Sequence, residues 1–341
     1  MIGKGRFWVA SLVFEAPLAF LALFFFYPLA KIFALSLAPQ GRLDLAPFGT
    51  LLADPYYVRL LAFTTGQALL STLLTLLAGM PAAHVFARYD FPGKSLLRAL
   101  TTIPFVLPTM VVAAAFTALL GPRGHLNTWL GSMLGLVAPL LRLQHTLLLV
   151  LIAHVFYNAA IIVRLVGGFW ANLDPHIEEA ARVLGADRWC TFRQVTLPIL
   201  LPAIVAASLL VFLFCFTSFG VMMVLGGPHL ATVEVEIYRQ AVPYFNLSLA
   251  AALSIVQIGF TFIVMAIYTR IQARAAVPLD LRPGAAIQRR PATWGERLIV
   301  WASVGGLMLL LLAPLLALVD RSFSLGGSYT LRYYHALFTN P

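Results

Sequence analysis

Residues Glu179-Ala180-Ala181-Arg182-Val183-Leu184-Gly185, then nine further residues, then Val195-Thr196-Leu197-Pro198, form a polar island in a very apolar chain. The residues around them are helix signals. Asp174 is placed to cap a helix, and Pro175 suits its first position. Glu178 and Glu179 put negative charge in the early turns, where the helix dipole favours it. Gly185 suits the left-handed residue that ends a helix. Asp187 is placed to cap a second short helix through Trp189, Phe192 and Val195. Pro198 disfavours helical geometry at Leu197, which predicts a break before the next apolar run. The expected unit is helix, glycine turn, helix, between two membrane spans. A plainer alternative is an amphipathic helix pair lying on the membrane surface.

Outward from this island, 61% of the 341 residues are hydrophobic and 11% charged, with a mean hydropathy of +0.90. Soluble domains carry about 25% charged residues, so the composition predicts an integral membrane protein. The net charge of +10 does not predict nucleic-acid binding, because the basic residues are dispersed over short loops with no basic-aromatic motif. Cys190 and Cys215 offer neither a disulfide framework nor a metal site. The seven histidines have no ligand spacing. Pro92-Gly93-Lys94-Ser95 resembles the end of a phosphate-binding loop. Arg88 stands where the first glycine is required and no strand precedes it, so no nucleotide site, cofactor or metal is expected on this chain. No catalytic constellation is legible either.

A spanning helix needs about 20 apolar residues. Seven runs qualify: Phe14–Leu35, Leu60–Phe86, Leu100–Leu120, Thr146–Gly168, Ile199–Leu225, Leu247–Ile271 and Leu298–Val319. Ser36-Leu37-Ala38 mimics a leader-cleavage site, but Pro39 and the length of the first run predict an uncleaved anchor. Of the 23 basic residues, fourteen fall at the N-terminus and in the loops after spans two, four and six. Eight fall on the other side, and Arg164 lies within span four. The positive-inside rule therefore places the N-terminus and the 174–198 loop in the cytoplasm. Interruptions are expected at Gly79 and Pro81 in span two and at Pro104 and Pro108 in span three. In span five, Phe216, Thr217, Ser218 and Phe219 are candidates to line a pathway; bonding of the two hydroxyls to carbonyls one turn back is an equal alternative. Beyond it, Glu234 and Glu236 have strand parity. Thr232–Glu236 is therefore expected to be extended and solvated, leading into a short helix near Ile237–Ala241.

The spaced pattern around Glu179 resembles the EAA loop of ATP-binding-cassette (ABC) importer permeases, departing only at Val195, where isoleucine is usual. The resemblance implies an all-α polytopic bundle of the type I importer fold, and a loop that docks on a separate ATPase subunit. It assigns coupling to Glu179, Ala180, Ala181 and Gly185, with Leu197 and Pro198 closing the motif. An internal repeat is visible as well. Pro28-Leu29 matches Pro314-Leu315 and Ser36 matches Ser322, and without a gap Phe48, Leu51, Leu52, Asp54 and Pro55 align with Tyr334, Leu337, Phe338, Asn340 and Pro341. The expected organisation is a cytoplasmic N-terminus (1–13), a first permease unit (14–271), a cytoplasmic linker (272–297) and the start of a second unit (298–341). The repeat predicts that the natural chain continues for about 200 residues with five more spans. This arrangement resembles the fused permeases of ferric iron and thiamine importers, most closely at His154–Asn158 and Phe214–Gln240. It implies uptake of thiamine or ferric iron across a bacterial inner membrane from a periplasmic or surface-tethered binding protein, with ATP and magnesium bound by an ATPase dimer and not by this chain. The rival class, an ion-coupled secondary transporter, requires paired ionisable residues in mid-membrane. The spans offer mainly Glu15, Arg164, His84 and His154.

Overall fold

The computed structural model describes residues 15–38, 41–42, 45–135, 138–275, 288–325 and 328–339. The described chain is almost entirely helical. In order come α1 (Glu15–Leu37), α2 (Ala46–Ala53), α3 (Pro55–Arg88), α4 (Lys94–Leu100), α5 (Ile103–Val106), α6 (Thr109–Leu120), α7 (His125–Leu134), α8 (Leu147–Ala171), α9 (Pro175–Val183) and α10 (Arg188–Phe216). They are followed by α11 (Phe219–Val221, continuing as a π turn over Met222–Gly226), α12 (Val233–Ala241), α13 (Leu247–Ala275), α14 (Trp294–Phe323) and α15 (Arg332–Thr339). A two-residue hairpin, β1 (Ser324–Leu325) with β2 (Ser328–Tyr329), separates the last two helices.

Six of these helices are long and apolar enough to cross a membrane, and a seventh crossing requires α4 to α7 to count as one span bent by 109°. The interruption expected within the span Leu100–Leu120 is thus present, at Pro108. Pro108 forces Leu107 out of helical geometry, to φ −73° and ψ 134°, and the ladder breaks there. The interruption expected in span two is absent, since α3 runs unbroken through Pro81. Gly79 serves packing instead: a Cβ there would lie 2.7 Å from Cβ of Ile162 on α8. The break expected at Leu197 is also absent. Leu197 has φ −62° and ψ −45°, and a π turn over Phe192–Thr196 absorbs the missing donor of Pro198 within a continuous α10.

The chain forms two compact units. The first joins residues 15–63 to 232–263. Here α1 is exposed from Glu15 through Pro28, as a lipid-facing helix is. The extended, solvated reading of Thr232–Glu236 is overturned: the segment enters α12, and Glu236 is 3% exposed. Its carboxylate accepts hydrogen bonds from Tyr56 Oη at 2.8 Å and Gln240 Nε2 at 2.7 Å, while Gln257 Nε2 donates to Glu234 at 2.7 Å. Helical i,i+4 pairing with Gln240 overrode the strand parity.

The second unit, residues 64–231 and 264–339, is centred on α8, which is mostly buried and packs along α10. There α14 packs along α6. Its start carries a capping box between Thr293 and Glu296, and Arg289 ties it to the end of α3 through backbone bonds with Arg88 and Asp90. Within the expected linker 272–297, residues 272–275 are helical and Trp294 starts α14; residues 276–287 lie outside the described residues. The repeat has a structural counterpart. The intervals from Leu37 to Phe323, from Ala46 to Arg332 and from Ala53 to Thr339 are all 286 residues, so the ends of α1 and α2 recur in α14 and α15.

Candidate functional site

The polar island folds as two capped helices. The Asp174 carboxylate accepts from His176 N at 3.0 Å to start α9, and the Asp187 carboxylate accepts from Cys190 N at 2.6 Å to start α10. Between them Gly185 has φ +94°. Ala186 N donates to Ala181 O at 3.1 Å and Gly185 N to Arg182 O at 3.0 Å, the paired hydrogen bonds of a Schellman end. No atom lies within 4 Å of where a Cβ on Gly185 would sit. The glycine is needed for its backbone conformation and not for space.

The loop is fastened by Glu178, which the sequence marks only as a charge at a helix start. The Glu178 carboxylate accepts from Arg88 Nη2 at 2.6 Å and from Thr196 Oγ1 at 3.0 Å, and Arg88 Nη1 also reaches Leu173 O at 3.3 Å. The Arg88 and Glu178 side chains are 11% and 20% exposed. Beneath them a core of Ala87, Trp170, Ala171, Leu173 and Leu200 joins α3, α8 and α10. Phe192 stacks between Trp170 and Trp189, at 6.3 Å and 6.0 Å. The sequence shows a charge in the first turn of α9 and a base ending span two, but nothing in it pairs residues 90 positions apart.

Glu179 faces the other way. Its side chain is exposed, 3.0 Å from His176 Nδ1. Ala180 and Pro198 are also exposed, while Ala181 and Leu197 are half-buried. The loop presents Val183, Leu184 and Trp189 outward, at 87%, 88% and 67% exposure. At its base opens a recess of about 610 Å³, lined by Arg88, Arg182, Arg188 and Arg289 together with Glu178 and Glu179.

The second candidate segment is a real discontinuity. α10 ends at Phe216, which is buried and stacks on Phe212 at 5.7 Å. Thr217 Oγ1 donates to Leu213 O at 2.9 Å and Ser218 Oγ to Cys215 O at 3.1 Å, so both hydroxyls bond to carbonyls about one turn back. The structure leaves Thr217 half-buried, Phe219 exposed and Phe216 inside. His154, not singled out for this role, reaches Ser218 Oγ with Nε2 at 2.7 Å. Among the described residues, no group of three His, Cys, Asp or Glu side chains is gathered as a metal ion would require.

Residues 75–277 match the family described as binding-protein-dependent transport system inner membrane component. The chain is 31% identical over 256 residues to the thiamine transport system permease protein ThiP of Haemophilus influenzae, covering 74% of this chain and 45% of that protein. It is 33% identical over 220 residues to the ThiP of Brucella abortus, covering 63% of this chain and 39% of that protein. The chain thus spans less than half the length of these thiamine-permease relatives. It is 30% identical to the sulfate transport system permease protein CysT of Escherichia coli, over 64% of this chain and 75% of that one. In fold it is similar to a bacterial ABC transporter involved in the import of the acidic polysaccharide alginate, with a TM-score of 0.64 at 18% identity, covering 80% of this chain and 98% of that chain. With the family pattern matched over more than half its length, the chain belongs to the inner membrane components of binding-protein-dependent transport systems.

Proposed function

We propose that this chain is a permease subunit of a binding-protein-dependent ABC importer, and that its 174–198 loop docks on a separate ATPase subunit. The observation that carries the reading is the loop itself. It is stiffened by two caps and a Schellman turn and tied to α3 by a mostly buried ion pair, yet it holds three large apolar side chains in the open. Large apolar side chains gathered on one rigid polar loop mark an interaction surface. Small Ala180 and Ala181 allow close approach, and the exposed Arg182 and Arg188 at the recess suit an acidic edge of the partner. Movement of the docked loop passes to α3 through Glu178 and Arg88, and to α8 through Phe192 and Trp170. ATP binding to the partner would in this way bias the spans between outward and inward states. The distribution of basic residues supports a cytoplasmic N-terminus and loop.

The test is the pair Val183→Asp and Leu184→Asp. Each buried apolar side chain is worth about 1.5–3 kcal/mol, so the double variant is expected to lose ATPase co-purification by more than about tenfold while inserting normally. Full co-purification would reject the docking surface.

Thiamine is the first solute, supported by the ThiP relatives and the Phe214–Gln240 resemblance, with a ferric species second and delivery by a binding protein on the opposite face. Uptake of radiolabelled thiamine and of iron-55 is expected to favour thiamine when the genes are expressed in a host lacking both systems. Transport of neither, with clear transport of a sugar, would reject the substrate. The recurring helix ends support two permease units, 14–271 and the start of a second at 298–341, joined by 272–297. Nothing in the geometry favours an ion-coupled carrier: His154 sits between two serine hydroxyls and not beside a carboxylate.

A further inference from the structure

Irregular backbone at membrane depth is tolerated only where protein buries it or a cavity meets it. This chain has two such breaks in its second unit, at Leu107–Pro108 and at Thr217–Ser218, and both lie against α8. Tyr157 Oη donates to Leu107 O at 3.4 Å. One turn of α8 away, His154 reaches Ser218. The breaks also meet each other, since a Cβ on Gly220 would lie 2.8 Å from Thr109 Oγ1.

The second break is held by a chain of hydrogen bonds. Had α10 continued, Cys215 O would have accepted from the residue four positions on. It accepts instead from Gln67 Nε2 at 2.9 Å and from Ser218 Oγ at 3.1 Å. We assign the ring hydrogen to Nε2, donating to Ser218, since the Ser218 hydroxyl then gives its own hydrogen to Cys215 O. Nδ1 then accepts from Ser71 Oγ, 2.7 Å away on α3. His154 is 2% exposed, and Asn158 Nδ2 donates to its backbone carbonyl at 2.9 Å. Every polar atom of the imidazole is used to place Ser218.

We infer that His154 is the positioning residue of the segment that the sequence offers as pathway lining: bridging Ser71 and Ser218, it holds the broken end of α10 so that Thr217 and the exposed Phe219 keep one arrangement, and so sets solute affinity. For its transport readout this rests on the importer reading above. The test uses His154→Gln, His154→Asn and Ser218→Ala. Glutamine carries an amide N–H close to the Nε2 position, whereas asparagine reaches only as far as Nδ1. Loss of one buried hydrogen bond with its partner left unsatisfied is expected to raise KM for thiamine uptake about tenfold in H154N and S218A. H154Q is expected to stay within about twofold, and the maximal rate to stay near wild type in all three, because the ATPase-facing loop is untouched. A second readout needs no solute. In membranes carrying Phe219→Cys with Cys190→Ser, labelling by a membrane-impermeant maleimide is expected to quicken about tenfold with H154N or S218A but not with H154Q. Unchanged KM and labelling in H154N overturn the inference, and so does an equal change in H154N and H154Q, which would signal lost packing alone. If the wild type takes up no thiamine, the substrate reading fails and the labelling by itself decides this one.

Discussion

Glu178→Ala is expected to lower transport by more than tenfold while the chain still inserts. The carboxylate is the anionic partner of an Arg88 guanidinium that is 11% exposed. Removing one member of a fully buried pair costs about 3–5 kcal/mol; with 20% exposure at Glu178, about 2–3 kcal/mol is the appropriate scale. Thr196 loses its acceptor at the same time. The loop then remains folded by its own caps but is no longer fastened to α3, so a pull from the ATPase is dissipated. Glu179→Ala removes an exposed side chain and should leave the loop in place. Limited trypsin digestion at Arg182 and Arg188 separates the two, with faster cleavage expected in E178A and wild-type cleavage in E179A. The double variant Arg88→Met with Glu178→Met is expected to resist trypsin better than E178A, because removing both charges leaves neither one stranded. Equal cleavage of all variants would show that the ion pair does not hold the loop.

Gly185→Pro is expected to abolish uptake. Proline fixes φ near −65°, against +94° in the structure, and deletes the N–H that donates to Arg182 O. The two short helices cannot then keep their mutual direction. Because the space around Gly185 is open, the other substitutions should rank by backbone preference alone. Gly185→Asn should be mildest, since asparagine tolerates the left-handed region, and Gly185→Ala should cost about 1 kcal/mol. ATPase co-purification and vesicle uptake on inserted protein measure the series. An alanine variant worse than the proline variant would mean that steric contact, and not φ, governs the turn.

Much of the loop was legible in the sequence because its signals are local. Asp174, Gly185 and Asp187 act on backbone groups within four residues of themselves, and each sits where its cap requires. The spans were legible for a related reason, since a run of apolar residues has one low-energy place to be. What failed were inferences about continuity. Pro81 and Pro198 carry the sequence signal of a break, yet each lies within a continuous helix. Pro108 and Ser218 do break theirs. A proline removes one donor and adds one steric demand; whether the helix bends depends on what surrounds it. At Pro198 a π turn takes up the mismatch. At the Ser218 break, Gln67 supplies the donor that the ladder lost.

The sequence by itself determined the helices, their number to within the bent pair, the caps of the loop and the repeat, because all of these follow from composition and short-range spacing. Only the tertiary structure decided that Glu178 and not Glu179 fastens the loop, that Glu236 is buried under Tyr56, and that His154 holds the break at Ser218. Those three pairings span 90, 180 and 64 positions. Over such distances chain connectivity imposes almost no preference, so the partner of a buried polar group is chosen by where packing brings helices together and by the cost of leaving that group unpaired.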